Sequence, residues 1–445
     1  MEKTQTILFF LMSLVIASCG GCGGSSSVTL SSIAVTPANP SITVAADQQF
    51  TATATYSDGS TADVTASATW SSSDTAIATI ISTSGLATAV AAGTSTITAV
   101  SGTISGNTVM TVTAQDLIDV HDHATVSSSS ASAPDLVDMM TSNGVSLMIL
   151  METPRANYQA VDNSSEALIT FFTAYSGSFR YMYGGSELEP LLLARGYNGT
   201  LPITSVLVYP NGGTFSAQNI ADFNAINTEA AGGAWETLFR SRATTAATSG
   251  QYVGFGELAP LHESSKSGQP YLTFKVDTPW MRWLSDLAAN NNMVMDLHIE
   301  ATDTTLADLA TLLSYNTNTK IVWDHAGWSN LSTSLATAAV FSQMLADHAN
   351  LYLSLKMRTG EEGGNTSPVD SAGTIKSEWL TLLTTYADRI MVGNDTKYWS
   401  GSSVSVQDDF DSAYSSLNAM LEQLPSATAV QIRADTAKEL FGLTQ

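Results

Sequence analysis

Eight short apolar runs, separated by helix-like stretches, fill the chain from residue 116 onward and constrain its fold more than any other feature. Strands that alternate with helices are typical of a parallel sheet whose strands are joined by crossover helices. Eight such repeats in about 330 residues predict a (β/α)₈ TIM barrel with insertions over residues 116–445. The runs lie at 117–120, 145–151, 179–183, 252–255, 293–297, 320–323, 351–355 and 389–392.

One long excursion, residues 184–249, interrupts this alternation between the third and fourth runs. It contains a ninth strand candidate at 203–209 and helical patterns around 217–227 and 234–247. We interpret the excursion as an insertion and leave the ninth candidate outside the barrel.

Residues 28–114 have a different sequence pattern, in which short segments alternate polar and apolar residues at period two. These segments lie at 41–44, 50–56, 77–80 and 95–100, and the turn signal Ser-Asp-Gly-Ser follows at 57–60. Several short strands at this spacing predict a small all-β sandwich ahead of the barrel, so the chain is multidomain.

The sequence of this first unit resembles the bacterial Ig-like group 2 domain. The matching stretches are 33–37, 48–60, 68–74 and 85–94. By this resemblance Trp70 is a core residue, and the unit serves as a surface spacer. Carbohydrate or host adhesion is the alternative role.

The first residues predict export from the cytoplasm. Lys3 precedes an apolar run at 7–16, which is too short for a stable membrane span and fits a signal peptide. The sequence Ile-Ala-Ser-Cys at 16–19 resembles a bacterial lipobox, which implies cleavage after residue 18 and lipid on Cys19. A plain secretory signal is the alternative. Residues 19–27 read as a flexible Gly/Ser tether.

The expected location is therefore the bacterial cell envelope, outside the cytoplasm, with the protein lipid-anchored to a membrane through Cys19. The charge of the chain fits this interpretation, because 40 acidic residues against 17 basic ones give a net charge of −23. A field of that sign repels nucleic acid, which we exclude as a general partner. We expect a small-molecule substrate, while the oligomeric state, periplasmic or cell-surface exposure and membrane leaflet stay open.

Residues able to bind metals or move protons follow the apolar runs. The C-terminal ends of barrel strands meet at one rim, so side chains at these ends converge there. The first run is followed by His-Asp-His, whose two imidazoles share a strand face and can reach one ion. The residues are His121, His123, Glu257, His298, His325 and Asp395.

This order resembles the amidohydrolase superfamily, in its amidohydrolase-related barrel branch. The family pattern is His-x-His on strand one, His on strands five and six, and Asp on strand eight. The resemblance implies a divalent metal, with Zn²⁺ the expected ion, held by His121, His123 and Asp395. It also implies that Asp395 shuttles a proton between water and the leaving group.

The number of metal ions stays open. With one ion, His298 completes the site, and His325 orients water or polarises the substrate. With two, Glu257 bridges the ions, and His298 and His325 hold the second. Glu257 could also be an acid that does not bind metal.

The expected activity is metal-assisted hydrolysis of an amide, ester or lactone. A decarboxylase or hydratase of the same branch is the alternative, favoured if Lys356 or Arg358, which follow the seventh run, grip a substrate carboxylate. Both could equally be solvated loop charges. A non-catalytic surface adhesion protein is the third possibility.

Three further acids lie beside the expected ligands. By period-two alternation, Asp119 and Asp296 share faces with His121 and His298, and we expect them to orient those imidazoles. The same rule predicts that Asp324 faces the surrounding helices.

Overall fold

The computed structural model describes residues 28–44, 46–113, 116–125, 133–152, 165–185, 187–196, 228, 232–262, 272–326, 334–357, 366–399 and 404–443. The chain divides into two compact units, Met1–Thr113 and Ala114–Gln445. The predictions for residues 1–27, including Cys19, for the candidates at 203–209 and 217–227, and for Arg358 lie outside the described residues.

The described part of the first unit is all β, as predicted. Its strands form three sheets, in the orders β1-β4-β5, β2-β10-β9-β6 and β3-β8-β7. The turn signal at 57–60 joins the antiparallel pair β4 and β5. The strands are β1 (Leu30–Thr36), β2 (Ser41–Thr43), β3 (Asp47–Gln49), β4 (Thr51–Tyr56), β5 (Thr61–Asp63), β6 (Thr69–Ser72), β7 (Ala78–Ile80), β8 (Leu86–Ala89), β9 (Gly93–Ser101) and β10 (Ile104–Thr113).

Trp70 lies in the core of this unit, as expected, and is 2% exposed. Its ring packs near Phe50, and its indole N–H donates to the carbonyl of Thr65 at 2.9 Å. Gly85 has φ +71°, and a Cβ there would lie 2.8 Å from the Trp70 ring. Glycine is therefore required beside the tryptophan on grounds of both backbone conformation and space.

The second unit contains a closed barrel of eight parallel strands, and each predicted run overlaps one of them. The order is β12-β13-β14-β16-β17-β18-β19-β11, and β11 also pairs with β12, which closes the sheet. The strands are β11 (Leu117–Thr125), β12 (Val145–Met151), β13 (Phe179–Gly184), β14 (Gly254–His262), β16 (Val294–Ile299), β17 (Lys320–Ala326), β18 (Leu351–Leu355) and β19 (Ile390–Val392). Two short strands, β15 (Leu272–Thr273) and β20 (Lys397–Trp399), pair with β14 and β11.

Helices connect these strands, and their starts carry recognisable signals. Thr278 caps one helix ahead of Pro279, and Thr302 forms a capping box with Thr305 at the next. No described helix is both long and apolar enough to span a membrane. The helices are α1 (Ala133–Ser142), α2 (Ser165–Phe171), α3 (Glu189–Gly196), α4 (Ala234–Ser249), α5 (Pro279–Asn290), α6 (Asp303–Tyr315), α7 (Ala338–Asp347), α8 (Ser377–Thr385), α9 (Val404–Leu421), α10 (Ser426–Val430) and α11 (Thr436–Phe441), with a π-helical turn at Gln431–Asp435.

Apolar side chains from six of the eight strands fill one end of the barrel. Val120, Val294 and Val322 pack there with Ala434 and Ala437 from the C-terminal helical segment. Polar side chains follow later along the same strands, so the apolar layer forms a floor beneath the C-terminal rim. The polar residues at the C-terminal rim therefore lie above a closely packed apolar layer.

Candidate metal centre

A β-bulge places the His-x-His pair of β11. Asp119 pairs with Met148 of β12 and Asp122 pairs with Leu150, so β11 uses three residue steps where β12 uses two. One extra residue reverses the alternation of faces. Val120 therefore packs in the floor, and the next residue, His121, also reaches the barrel interior.

Four imidazoles surround the carboxylate of Glu257. Oε2 of Glu257 lies 3.1 Å from Nε2 of His123 and 3.7 Å from Nε2 of His121. Oε1 lies 2.8 Å from Nδ1 of His298 and 3.7 Å from Nε2 of His325. All five side chains are buried, with no residue more than 5% exposed. The predicted histidine ligands of three strands thus converge on one acid from a fourth strand.

Asp395 also joins the cluster, with its Oδ1 3.4 Å from the same Nε2 of His123 that Glu257 contacts. Both Asp395 and His325 have positive φ values, 48° and 59°. This backbone conformation is rare outside glycine and costs about 1–3 kcal/mol per residue, and it concentrates at functional sites. The surrounding fold therefore holds these two residues in strained conformations that point them at the site.

The donor atoms are close enough to share cations. Those of His121, His123 and Asp395 lie within 4.8 Å of one another, and so do those of His121, Glu257 and His325. Imidazole nitrogens and carboxylate oxygens are the ligands that Zn²⁺ and similar divalent ions take. The residues present therefore fit a divalent metal centre.

The prediction that Asp324 faces the helices was wrong. Its Oδ2 lies 3.2 Å from Nδ1 of His121, inside the barrel, and its Oδ1 accepts a hydrogen bond from the Ser354 hydroxyl at 2.8 Å. Asp324 faces inward, as Val322 does two residues earlier. The left-handed conformation of His325 turns the side chain of His325 inward as well. Strict alternation fails at that residue.

The other two acids also differ from expectation. Asp296 does not contact His298 but lies 3.3 Å from Nδ1 of His121, on the opposite side of the barrel interior. Asp119 accepts the backbone N–H of His121 at 3.1 Å, because the bulge separates its side chain from the imidazole face. His121 is thus the ligand with the most carboxylate support.

Lys356 lies in the site, although not in an open position. Its ammonium is 2.7 Å from Oδ2 of Asp395, and the residue is 3% exposed. The predicted role as an anchor for a substrate carboxylate would require the substrate to compete with Asp395. That role stays a prediction, as does the role of Arg358.

The electrostatics of the cluster favour the metal-binding forms of His325 and Glu257. Burial and then the charge of Lys356 lower the pKa of His325 to about 3, so its imidazole is neutral at physiological pH. Burial alone would raise the pKa of Glu257, but hydrogen bonds from His123, His298 and His325 hold that pKa well below its usual range. Glu257 is therefore an ionised carboxylate among the imidazoles.

Several residues of the site were missed by sequence reasoning. Oε1 of Glu300, which is buried, lies 3.9 Å from Nε2 of His298. Asp122 and Tyr414 are buried on the outer side of β11. The positions of Glu300 and Asp122 beside the expected ligands were a usable signal, whereas Tyr414 lies nearly 300 residues further along the chain.

In structure the chain is similar to enzymes of the amidohydrolase superfamily. An amidohydrolase from Burkholderia multivorans with bound zinc has 13% identity and a TM-score of 0.39, covering 74% of this chain and 99% of its own. A dihydroorotase from Campylobacter jejuni has 12% identity and a TM-score of 0.40, covering 74% and 84%. A dihydroxybenzoic acid decarboxylase from Polaromonas sp. JS666 with bound manganese has 14% identity and a TM-score of 0.40, covering 74% and 98%. These likenesses do not extend to substrate or reaction.

The first unit has a clearer relationship. Ice-binding protein 1 of Shewanella frigidimarina is 51% identical over 106 residues, which is 23% of this chain and 12% of that relative. The chain therefore spans about an eighth of that relative's length. Residues 29–112 match the bacterial Ig-like domain (group 2) family. Together with the all-β structure of this unit, the match identifies residues 29–112 as a bacterial Ig-like domain of group 2.

Proposed function

We propose that the barrel is a metal-dependent hydrolase of the amidohydrolase type with two divalent cations, acting on an amide, ester or lactone. His121, His123 and Asp395 would hold one cation, and His298 and His325 the other. Glu257 would contribute one oxygen to each. The ligand chemistry favours Zn²⁺ or a comparable divalent ion.

The position of Glu257 carries this proposal. Its Oε2 faces the two histidines of β11, and its Oε1 faces His298 and His325. Each oxygen therefore has its own pair of imidazoles, which is the arrangement expected of a bridging carboxylate. An acid that served only to orient one imidazole would not need to divide four of them in this way.

A bound cation of this kind supplies Lewis acidity, which polarises a carbonyl group and makes water a better nucleophile near neutral pH. Asp395 is placed to accept a proton from the attacking water and deliver it to the leaving group as the C–N or C–O bond breaks. Lys356 fixes the second oxygen of Asp395 at 2.7 Å and so restricts which oxygen takes that proton. The neutral His325 completes the ligand set without adding charge.

Hydrolysis is favoured over decarboxylation by the pairing of Lys356 with Asp395. A side-chain cation that anchors a substrate carboxylate would favour decarboxylation, but Lys356, which follows β18, already contacts Asp395. The observation that would reverse this choice is CO₂ release from a carboxylated substrate.

Elemental analysis of the purified protein tests the proposal, together with Glu257→Gln and a panel of esters, lactones and amides. We expect two equivalents of metal in the wild type, about one in Glu257→Gln, and hydrolysis by the wild type of at least one substrate class. The matched control is Glu378→Gln, because Glu378 is exposed. If the wild type contains one equivalent of metal and Glu257→Gln contains the same amount, the two-metal centre is contradicted. If the wild type contains no metal, the whole proposal is contradicted.

We also propose that the protein is anchored outside the cytoplasm by lipid on Cys19, with the Ig-like domain as a spacer. The apolar run at 7–16 and the following Ile-Ala-Ser-Cys support this. Metabolic labelling with a fatty acid should mark the wild type but not Cys19→Ala, and Cys22→Ala should be labelled normally. Label on neither the wild type nor Cys22→Ala would leave a plain secretory signal as the explanation.

A further inference from the structure

Two acids close to His121 in the sequence accept hydrogen bonds from the residues immediately before and after Asp395. Asp119 accepts the backbone N–H of Asn394 at 3.1 Å, and Asp122 accepts the backbone N–H of Thr396 at 2.7 Å. The hydroxyl of Thr396 also donates to Asp122. Side chains of β11 are thus hydrogen-bonded to the segment that carries Asp395.

Backbone hydrogen bonds connect the same two segments. The N–H of Asp395 donates to the carbonyl of His121 at 2.9 Å, and the N–H of His123 donates to the carbonyl of Thr396 at 3.1 Å. The left-handed conformation of Asp395, with φ 48°, therefore lies between two anchored neighbours. These hydrogen bonds offset the free-energy cost of a left-handed conformation at a residue other than glycine.

Tyr414 of α9 links the two acids from outside the barrel. Its hydroxyl donates to Oδ2 of Asp119 at 2.7 Å and lies 3.4 Å from Oδ2 of Asp122. Asp119 and Tyr414 are fully buried and Asp122 is 1% exposed, so water cannot replace this hydroxyl without rearrangement. One phenol thereby serves two carboxylates that would otherwise face each other in a dry environment.

We propose that Asp119, Asp122 and Tyr414 form a clamp that aligns Asp395 with His121 and His123, and so sets cation affinity from outside the site. The inference rests on the proposed metal function. None of the three side chains contacts the expected cation positions, so they are positioning residues. The clamp acts on the His121, His123 and Asp395 group and leaves the ligands on β16 and β17 untouched.

Tyr414→Phe is the first test, because it removes one hydroxyl and keeps the ring that packs against Phe410. We expect Co²⁺ affinity to fall about tenfold, which is the scale measured for partners that hold metal ligands. The Co²⁺ absorption spectrum should change as Asp395 loses its alignment. The matched control is Tyr352→Phe, since Tyr352 lies near the start of β18 and away from the rim. Unchanged affinity and spectrum in Tyr414→Phe would overturn the proposal.

Thr396 supplies a second pair of variants. Thr396→Val removes the hydroxyl donor to Asp122 while keeping the backbone N–H, and Thr396→Ser restores the hydroxyl. We expect weaker Co²⁺ binding in the valine variant and recovery in the serine variant. Equal losses in both would indicate a packing effect and contradict the clamp.

Amide hydrogen exchange in the metal-free protein separates the clamp from the metal function. The amides of residues 394–396 should exchange faster in Tyr414→Phe than in the wild type, whereas those of β16 should not change. If the wild type bound no cation, the proposed function would fail, and faster exchange in this segment would still support the clamp. Unchanged exchange would reject the clamp, with or without metal.

Discussion

Nδ1 of His121 lies 3.2 Å from a carboxylate oxygen of Asp324, the residue that directly precedes His325. Burial alone would raise the pKa of Asp324, but the charge of His121 and hydrogen bonds with Asp296 and His121 outweigh burial and lower that pKa to about 2. One strand therefore supplies both an expected metal ligand and the acid that supports another ligand across the barrel. A carboxylate on the far nitrogen of a metal-binding imidazole fixes its tautomer and makes it a stronger ligand.

Asp324→Asn should weaken cation binding by about 10- to 100-fold, because His121 loses that support. Competition against a chelator of known affinity measures the change. Asp388→Asn is the control, since Asp388 is exposed on the barrel surface. Wild-type affinity in Asp324→Asn would mean that Asp296, 3.3 Å from the same nitrogen, is sufficient alone.

Cation binding at His298 should release a proton. Burial alone would lower the pKa of His298, but its contacts with Glu257 and Glu300 raise it to about 9 in the metal-free protein. Below that pH the imidazole must lose its proton before Nδ1 can bind a cation. Affinity at this position should therefore rise about tenfold per pH unit as the pH increases towards about 9. Calorimetry in buffers of different ionisation enthalpy counts the protons released, and an absence of release would contradict this prediction.

Glu189→Gln should make the metal-free protein less sensitive to alkaline pH. Burial of Glu189 raises its pKa to about 8 from an ordinary value of 4.5. The folded state therefore binds the proton more tightly than the unfolded state, and this stabilisation is present below pH 4.5 and lost as the pH rises through 8. Glutamine keeps a neutral group that can still accept the N–H of Ala259. Thermal unfolding measured at about pH 5 and about pH 9 should show the variant gaining roughly 4 kcal/mol on the wild type at the higher pH. Stability differences that are equal at the two pH values would contradict this prediction.

Gly256→Ala should disturb Glu257, the acid that we propose bridges two cations. A Cβ at Gly256 would lie 2.6 Å from Cβ of Asp296 and 3.0 Å from Sδ of Met182, so β14 must move away from β16. We expect a loss of about 1–3 kcal/mol in the free energy of unfolding and reduced metal content, since Glu257 is the next residue. Gly177→Ala is the control, because a Cβ there meets no atom within 4 Å. Full metal content in Gly256→Ala would show that Glu257 tolerates the shift.

Sequence periodicity was sufficient for the barrel and for the convergence of His121, His123, Glu257, His298 and Asp395. Each of these residues follows an apolar run, and the C-terminal ends of parallel strands meet at one rim. The eight runs correspond to eight strands because their flanking helices are amphipathic and their lengths fit single strands. Nothing beyond local pattern and the geometry of a closed sheet was needed for this.

The directions of individual acids could not be predicted in the same way. Asp324 faces inward and Asp119 faces outward because a left-handed residue and a β-bulge break the period-two rule at these points. Both irregularities are favoured by tertiary hydrogen bonds, such as that between Asp119 and Asn394, which join residues 275 positions apart. No window of sequence contains that information, and the phenol of Tyr414 was missed for the same reason.

The bonds between Asp119 and Asn394 join the first and the last strand of the barrel, where the sheet meets itself. A cation held by His121, His123 and Asp395 would link the first strand to the segment that follows the last strand. In the unfolded chain His121 and Asp395 are 274 positions apart, because 395 − 121 = 274. Binding of this cation by all three ligands would therefore require that the first and last strands have already paired and closed the barrel.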